Sequence, residues 1–355
     1  MSEKIDRKIG TSRDESAVYA AIDLGTNNCR LLIASPGSGG SNLTILGSYS
    51  RIVRLGEGLT SQNRLSAHAM GRTLNALRVC AQRIEACKAT RIHCVATEAC
   101  RRADNGVEFL NRVTQETGLP FEIISPQQEA ELTLHGCQPL FSPEKRHTLL
   151  FDIGGGSTEI VWANTAHTAH PVLQDTVSFP IGVVTLSETY ESNQIDDRRY
   201  QQIRADVSAL LEPFDTKHKI SDAISAGDVQ MIGTSGTVTT LGALILNLLR
   251  YDRSRVDGLE MNFQTIHRII TNIVQMDPSS RQKIPCIGPD RADLMVMGCA
   301  ILDAICAKWP VGRLRAADRG IREGLLLEMM EKDRQDKGSS EALTNASFLN
   351  APAGG

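Results

Sequence analysis

Residues 149–162 read LLFDIGGGSTEIVW, and residues 20–33 repeat the same plan as AAIDLGTNNCRLLI. Each segment has an apolar strand that ends near an Asp, a small turn that contains glycine, and a second apolar strand, which is the pattern of a β-hairpin. The two copies begin at positions 20 and 149, which are 129 residues apart. A hairpin repeated at this distance predicts two similar domains that face a shared cleft.

The regions around the two hairpins alternate short apolar runs with longer segments of helical period, which indicates an α/β fold. The chain has 355 residues, of which 41% are hydrophobic and 22% charged, so it is long enough for two ordinary cores. We predict strands over 43–53 and 91–96 and a helix capped by Ser66. A second helix is predicted from near Asn105 to Gly118.

Composition and charge exclude several classes of function. The net charge of −3 offers no basic field for nucleic acid, and the 4% of aromatic residues are too few for a platform that stacks bases. No apolar run approaches the length of a membrane span and the N-terminus is charged, so we expect no membrane partner and a cytoplasmic location. Nine cysteines without a C-x-x-C pair indicate reduced thiols rather than a zinc site. Residues 333–355, rich in Gly, Ser and charge, are expected to form a disordered tail.

The turn of the second hairpin has the composition of a phosphate site. Gly154, Gly155 and Gly156 remove every Cβ from the turn, which lets backbone N–H groups close around an anion. The alternative is a flexible surface turn. Asp23 and Asp152 end the first strand of each hairpin, where an isolated Asp is usually a turn cap. Two of them beside two phosphate-type turns favour Mg²⁺, which prefers oxygen ligands.

A third loop rich in glycine and hydroxyl groups reads GTSGTVTTLG over residues 233–242 and precedes an apolar segment of helical period. Thr234, Ser235 and Gly236 would lie at the N-terminus of that helix, where free amides favour anions. A helix cap rich in Ser and Thr looks similar. No Lys follows the loop, and neither it nor the 152–159 segment has the G-x-G-x-x-G pattern, so neither nucleotide-binding fingerprint is present.

Motifs of one known family are spread over most of the chain. They are IDLGTN at 22–27 with RLL at 30–32, ATEACR at 96–101 with ADN at 103–105, IS at 124–125 with EA at 129–130, DIGGGSTE at 152–159, and ADRGIREG at 317–324. With these motifs the chain resembles the exopolyphosphatase/guanosine pentaphosphate phosphatase family, within the larger group of sugar kinases, heat-shock chaperones and actins. It is similar to the short members, which lack extra C-terminal helical domains.

The resemblance implies an α/β fold with two ribonuclease-H-like (actin-like ATPase) domains and an interdomain cleft. The first domain would cover residues 17–133 together with a C-terminal helix at about 320–332, and the second would cover 134–319. The resemblance also implies hydrolysis of a terminal phosphate with Mg²⁺, and family members are often homodimers, so we expect a homodimer.

The resemblance assigns roles to individual residues. Glu129 matches the general base, Glu159 matches a second carboxylate that helps to bind metal or orient the nucleophile, and Arg101 matches an arginine on the phosphate chain. The expected metal ligands are Asp23, Asp152 and Glu159. The expected phosphate-binding residues are Gly25, Thr26, Asn27, Arg30, Arg101, Gly154, Gly155, Gly156, Ser157, Thr234, Ser235 and Gly236.

The segment before the general base departs from the family pattern. The family usually has Ser-Gly-x-Glu-Glu, whereas this chain has Ser125-Pro-Gln-Gln-Glu129. Only one carboxylate of the pair remains, which makes the assignment of the base to Glu129 that the resemblance implies less ambiguous. Pro126 fixes its own φ and biases Ser125 toward an extended conformation, so the loop should have little hinge freedom.

The expected function is that of an exopolyphosphatase, which releases orthophosphate from the end of inorganic polyphosphate. The alternative is hydrolysis of guanosine pentaphosphate to the tetraphosphate, which needs the same groups plus a pocket for guanine. An actin-like or sugar-kinase ATPase would share the hairpins but not the 152–159 segment. A sensor without turnover would need neither Glu129 nor Glu159.

Overall fold

A computed structural model describes residues 17–37, 43–168, 171–190, 195–289 and 291–349 of the protein. Strands form two separate sheets. They are β1 (Tyr19–Leu24), β2 (Asn28–Pro36), β3 (Leu43–Ile52), β4 (Arg91–Ala96), β5 (Phe121–Ile123), β6 (His147–Ile153), β7 (Thr158–Asn164), β8 (Val172–Phe179), β9 (Val229–Thr234), β10 (Glu260–Asn262) and β11 (Arg313–Ala317).

Helices cover both sheets. They are α1 (Leu59–Gln62), α2 (Ala67–Ala86), α3 (Glu98–Arg102), α4 (Gly106–Thr117), α5 (Pro126–Cys137), α6 (Val183–Tyr190), α7 (Asp197–His218), α8 (Ile220–Ser225), α9 (Gly236–Ile245), α10 (Arg253–Val256), α11 (Phe263–Gln275), α12 (Pro278–Gln282), α13 (Ala292–Lys308) and α14 (Ile321–Leu349). No helix within the described ranges combines the length and apolar character that a bilayer crossing requires.

The two sheets have the same topology. The first has the order β3-β2-β1-β4-β5. Strand β2 is antiparallel to both β1 and β3, whereas β4 and β5 are parallel to β1. In the second, β8-β7-β6-β9-β11 repeats this order and these directions, and β10 is added at the edge. This is the ribonuclease-H-like arrangement, so the predicted fold class is confirmed, and the sequence repeat at 20–33 and 149–162 is the hairpin that begins each domain.

Local signals placed several helices correctly. The Ser66 side chain accepts a hydrogen bond from the amide of Ala69 at the start of α2, as expected of an N-cap. The helix α4 ends at Gly118, whose φ of 71° lies in the left-handed region that favours glycine. The predicted strands over 43–53 and 91–96 correspond to β3 and β4.

Helix α5 begins with the segment that departs from the family pattern. Ser125 is extended and its hydroxyl accepts the amide of Gln128, whose side-chain oxygen accepts the amide of Ser125 at 2.9 Å. This reciprocal pair is a capping box, and Pro126 occupies the first helical position, where no amide hydrogen is needed. Gln128 therefore stabilises the start of α5 instead of providing a second carboxylate.

The C-terminal helix is longer than predicted. We expected it to end near residue 332 and residues 333–355 to be disordered, but α14 continues to Leu349, and residues 350–355 lie outside the described part of the chain. Asp333 accepts hydrogen bonds from the hydroxyl of Tyr19 at 2.9 Å and from Arg91, so the helix is still bound to the first sheet at this point. Because the helix is anchored at Asp333, further turns can be added without the cost of helix nucleation. Composition alone does not reveal this anchor.

Helices α5 and α14 cross in direct backbone contact. A Cβ on Gly136 would overlap the carbonyl oxygen of Gly320, and a Cβ on Gly324 would overlap the carbonyl oxygen of Leu132. Glycine at 136 and 324 thus permits an approach that any side chain would prevent. The apolar face of α14, which includes Leu326, packs against β1 of the first domain.

Candidate active site

A cavity of about 110 Å³ lies between the two repeated hairpins. Asp23 and Asp152 both border it, so the turns of the two domains face one hollow. The lining residues are Asp23, Gly25, Thr26, Asn27, Asn28, Arg30, Thr97, Glu98, Glu129, Asp152, Ile153, Gly154, Gly155, Gly156, Ser157, Val183, Ser235, Gly236, Thr237, Thr240, Arg291, Leu294, Met295 and Ile321.

Residues of the first hairpin pack closely against the glycine turn and leave no room for side chains there. A Cβ on Gly155 would lie 3.0 Å from the amide nitrogen of Asn27, and one on Gly156 would lie 2.7 Å from the hydroxyl of Thr26. The first contact is tighter than most Cβ contacts, and the second is closer than Cβ atoms approach a neighbour. The absence of side chains at these positions therefore lets the turns of the two domains approach each other across the cavity.

A segment at the start of α6 supports the glycine turn from behind. The amide of Val183 donates to the carbonyl oxygen of Gly154 at 3.0 Å, and the amide of Val184 donates to that of Gly155 at 2.8 Å. A Cβ on Gly182 would overlap the carbonyl group of Gly155. The position of the turn thus depends on Gly182, a residue that no motif in the sequence marks.

Glu129 lies in the first turn of α5 and borders the cavity although only 7% of it is exposed. Its carboxylate is 3.4 Å from the guanidinium of Arg101. Burial raises the pKa of Glu129 well above its usual range, the charge of Glu159 raises it further, and Arg101 opposes the shift. A carboxylate with this raised pKa holds a proton more readily than an exposed one, which suits a general base.

The two hairpin carboxylates also lie deep in the molecule. Burial raises the pKa of Asp152 to about 8, and nearby Glu159 adds to the shift. Burial raises the pKa of Asp23 as well, and Arg30 opposes the shift in both groups. The cavity therefore concentrates acidic groups whose mutual repulsion a cation would relieve.

Three of the predicted site residues do not line the cavity. Glu159 is buried in β7, where its carboxylate accepts hydrogen bonds from the hydroxyls of Ser157 at 2.6 Å and Ser178 at 2.7 Å. Thr234 ends β9 beside Asp152 in the sheet register. Arg101 donates to the carbonyl oxygen of Ile124 and to carboxylates rather than facing the hollow. The other predicted phosphate-binding residues all border the cavity.

Arg101 is held by three acceptors beside Glu129. One Nη donates to the backbone oxygen of Ile124 at 2.7 Å and lies 3.4 Å from Glu129, while the other donates to Glu98 at 2.7 Å. This arrangement fixes the guanidinium beside the Glu129 carboxylate.

Several wall residues were missed by sequence reasoning. Thr97 and Glu98 lie inside the ATEACR motif, which the sequence analysis recognised, but neither residue was predicted to belong to the site. Arg291, Leu294 and Met295 come from the start of α13, where the sequence has no glycine loop and no periodic pattern that would distinguish a cavity wall from an ordinary helix face.

The acceptor groups of the cavity can be compared with the needs of a divalent cation. Within the described chain, no three His, Cys, Asp or Glu side chains are grouped closely enough to hold a metal ion by themselves. However, the side-chain oxygens of Asn27 and Asn28 are buried with no hydrogen-bond partner, and both residues line the same cavity as Asp23 and Asp152. Mg²⁺ usually binds through one or two carboxylates, waters and substrate phosphate, so this donor set fits it.

Comparisons with known proteins agree with the geometry. The sequence model of the Ppx/GppA phosphatase family matches residues 32–333. A Ppx/GppA family member from Aquifex aeolicus is 28% identical, with 89% of this chain and 98% of that chain covered and a TM-score of 0.71. An exopolyphosphatase-like protein is 27% identical over 89% of this chain and 99% of its own, with a TM-score of 0.76. An exopolyphosphatase from Cytophaga hutchinsonii, 22% identical over 89% and 98% with a TM-score of 0.78, shares the fold. The chain therefore belongs to the Ppx/GppA phosphatase family.

Proposed function

We propose that this protein is an exopolyphosphatase that removes orthophosphate from the end of inorganic polyphosphate with the help of Mg²⁺. The observation that supports this substrate is the composition of the cavity wall, which offers glycine amides, hydroxyls and Arg30 but, among its described residues, no aromatic ring. Amides and a guanidinium bind phosphate oxygens, while a guanine base is commonly held by stacking. Two solved relatives, one named an exopolyphosphatase and one named an exopolyphosphatase-like protein, are consistent with the proposal.

Guanosine pentaphosphate is the second candidate substrate. Arg291, Leu294 and Met295 form one side of the cavity at the start of α13, and an arginine beside apolar side chains can hold a base without an aromatic partner. The phosphate end of either substrate would meet the same two turns. The two candidates therefore differ in what occupies the α13 side of the cleft.

In the proposed reaction, Glu129 accepts a proton from water as the water oxygen forms a bond to the terminal phosphorus. The bond between that phosphorus and the bridging oxygen breaks, and the shortened chain leaves with the bridging oxygen. The glycine turns hold the terminal phosphate in place through backbone amides, which is how phosphoryl transfer gains most of its acceleration. Asp23 and Asp152 would hold Mg²⁺, which supplies charge neutralisation to the phosphate oxygens when bound.

The substrate assignment is tested by measuring phosphate release from purified protein with Mg²⁺. Inorganic polyphosphate, guanosine pentaphosphate and ATP are offered separately, and ATP is also offered together with a sugar. We expect the highest kcat/KM on polyphosphate. Faster release from guanosine pentaphosphate would make it the preferred substrate in place of polyphosphate. Turnover of ATP only in the presence of sugar would indicate a kinase. Binding without phosphate release would indicate a sensor.

We expect Mg²⁺ to stabilise the protein before any substrate is added. A cation held at a hundred times its dissociation constant adds about 2.7 kcal/mol, which should raise the melting temperature by roughly 5 °C. Asp152→Asn should lose most of this gain, whereas the exposed Asp104→Asn control should keep it. Thermal melting with and without Mg²⁺ measures the difference, and equal gains in both variants would remove Asp152 from the cation site.

Replacement of Arg101 should shift the pH dependence of the reaction. Arg101 lowers a raised Glu129 pKa, so in Arg101→Gln that pKa should rise further and the base should lose its proton only at higher pH. The acid limb of kcat/KM should then move to higher pH, as a pH profile would measure. An unchanged profile combined with weaker binding at low salt would instead favour the direct phosphate contact expected from the family resemblance.

A further inference from the structure

A second cavity of about 320 Å³ lies in the cleft between the same two domains. Thr60 and Arg102 border it from the first domain, and α6, α7 and the loop before α6 border it from the second. Its floor is formed by the apolar side chains of Ile181, Ile203 and Val207. A concave, largely apolar site at a domain interface with a few polar groups is the usual form of a small-molecule site.

Arg102 is the cationic group of this cavity. Its side chain is 31% exposed, and within the described chain its sole charged partner is Glu98, at 3.8 Å from the Nε atom. The carboxylate of the cavity, Asp206, already accepts hydrogen bonds from the Tyr190 hydroxyl at 3.1 Å and the Gln202 amide at 2.8 Å. The guanidinium therefore has donors available to a ligand. Asp206 keeps its negative charge despite these two hydrogen bonds, so the acidic group of a ligand would bind at Arg102 and away from Asp206.

The wall of this cavity is continuous with the support of the glycine turn. Ile181 and Thr185 border the cavity, and between them Gly182 packs against the backbone of Gly155, with Val183 bonded to Gly154. A molecule in the second cavity would thus contact the segment that positions the phosphate turn of the first. Movement of that segment would change both the second cavity and the position of the glycine turn.

We propose that this interdomain cavity is a second binding site, whose ligand is a small organic anion with an apolar body. The acidic group would pair with Arg102 and the body would cover the apolar floor. Inorganic phosphate and polyphosphate have no apolar part and would gain nothing from this floor. This proposal does not depend on which phosphate substrate the protein hydrolyses.

Such a ligand would also stabilise the observed arrangement of the domains because its site is built from both of them. Two contacts already span the cleft nearby. The amide of Gly58 donates to Glu188 at 2.8 Å, and Arg54 pairs with both carboxylate oxygens of Asp293 at 3.1 and 3.2 Å. Binding of the anion would add a further contact between the domains.

The probe for this site is 8-anilinonaphthalene-1-sulfonate, an amphipathic aromatic anion whose fluorescence rises in an apolar environment. We expect the full-length protein to bind one molecule per chain in a fluorescence titration. Saturating tripolyphosphate with Mg²⁺ should leave this binding in place, since it lacks an apolar part. Displacement of the probe by tripolyphosphate would place the probe in the main cavity and overturn the proposal, as would the absence of binding.

Two variants locate the bound probe. Arg102→Gln should weaken binding about tenfold through the loss of one charge-assisted hydrogen bond, and Thr189→Trp should weaken it by placing an indole at the cavity. Arg112→Gln is the matched control, since Arg112 is an exposed arginine on α4 paired with Glu116 at 2.7 Å. Circular dichroism melting verifies that each variant is folded. Probe affinity unchanged by both Arg102→Gln and Thr189→Trp would refute the site.

Discussion

Glu129→Gln is expected to lower the rate of phosphate release from polyphosphate by about a thousandfold, within the range that a general base contributes. The amide has nearly the same shape as the carboxylate but cannot accept the proton that water loses. Polyphosphate affinity should stay within a few fold because the glycine turns and Arg30 are untouched. Steady-state kinetics and equilibrium binding, measured on the same preparation, separate the two quantities.

Glu131→Gln is the matched control because Glu131 lies on the same helix two residues away but is exposed, where it accepts a hydrogen bond from Gln127 at 3.0 Å. Its rate should equal that of the wild type. Near-normal turnover in Glu129→Gln would assign the base to another carboxylate, for which Asp152 on the cavity wall is a candidate. A thousandfold weaker affinity with unchanged kcat would make Glu129 a binding group.

Gly182→Ala should remove activity by more than a hundredfold, although residue 182 is outside every recognised motif. The new methyl group would overlap the carbonyl of Gly155 and lie 2.6 Å from the amide nitrogen of Gly156. These neighbours are backbone atoms that cannot rotate aside, so the phosphate turn itself must move. A displacement near 1 Å at a reacting group costs about a hundredfold in rate, and overpacking costs about 1–3 kcal/mol of stability.

Gly71→Ala tests whether this loss is specific to the contact. Gly71 lies in the middle of α2 with no heavy atom within 4 Å of its Cβ position, so alanine should stabilise the helix by about 0.5–1 kcal/mol. Activity should be unchanged. Thermal melting and phosphate release are measured on both variants, and a Gly182→Ala protein with wild-type kcat would show that the turn tolerates displacement.

Features that depend on neighbours in sequence were predictable. The hairpins at 20–33 and 149–162 are local structures, and their repetition was enough to predict two domains that face each other. The Ser66 cap and the terminal Gly118 act within one helical turn, so their consequences could be stated from the sequence. The turn residues that line the cavity were predicted for the same reason.

Features that depend on contacts between distant residues were not predictable. Gly182 is an isolated glycine, and its constraint arises only because the chain brings it against Gly155. Arg101 was expected on the phosphate chain, and the sequence did not show that Ile124 and Glu129, 23 and 28 residues away, hold its guanidinium. The extension of α14 beyond residue 332 depends on Asp333 meeting β1 and β4, a contact between chain segments more than 200 residues apart.

The crossing of α5 and α14 has a consequence for how this enzyme can diverge or be engineered. Glu129 is carried by a helix whose distance from its neighbour is set at Gly136 and Gly324 by main-chain atoms. Exposed side chains elsewhere on these two helices, such as that of Glu131, can be exchanged without changing the distance between the helix backbones. Gly136 and Gly324 cannot be exchanged in this way, because even one methyl group would overlap backbone atoms and force the helices apart.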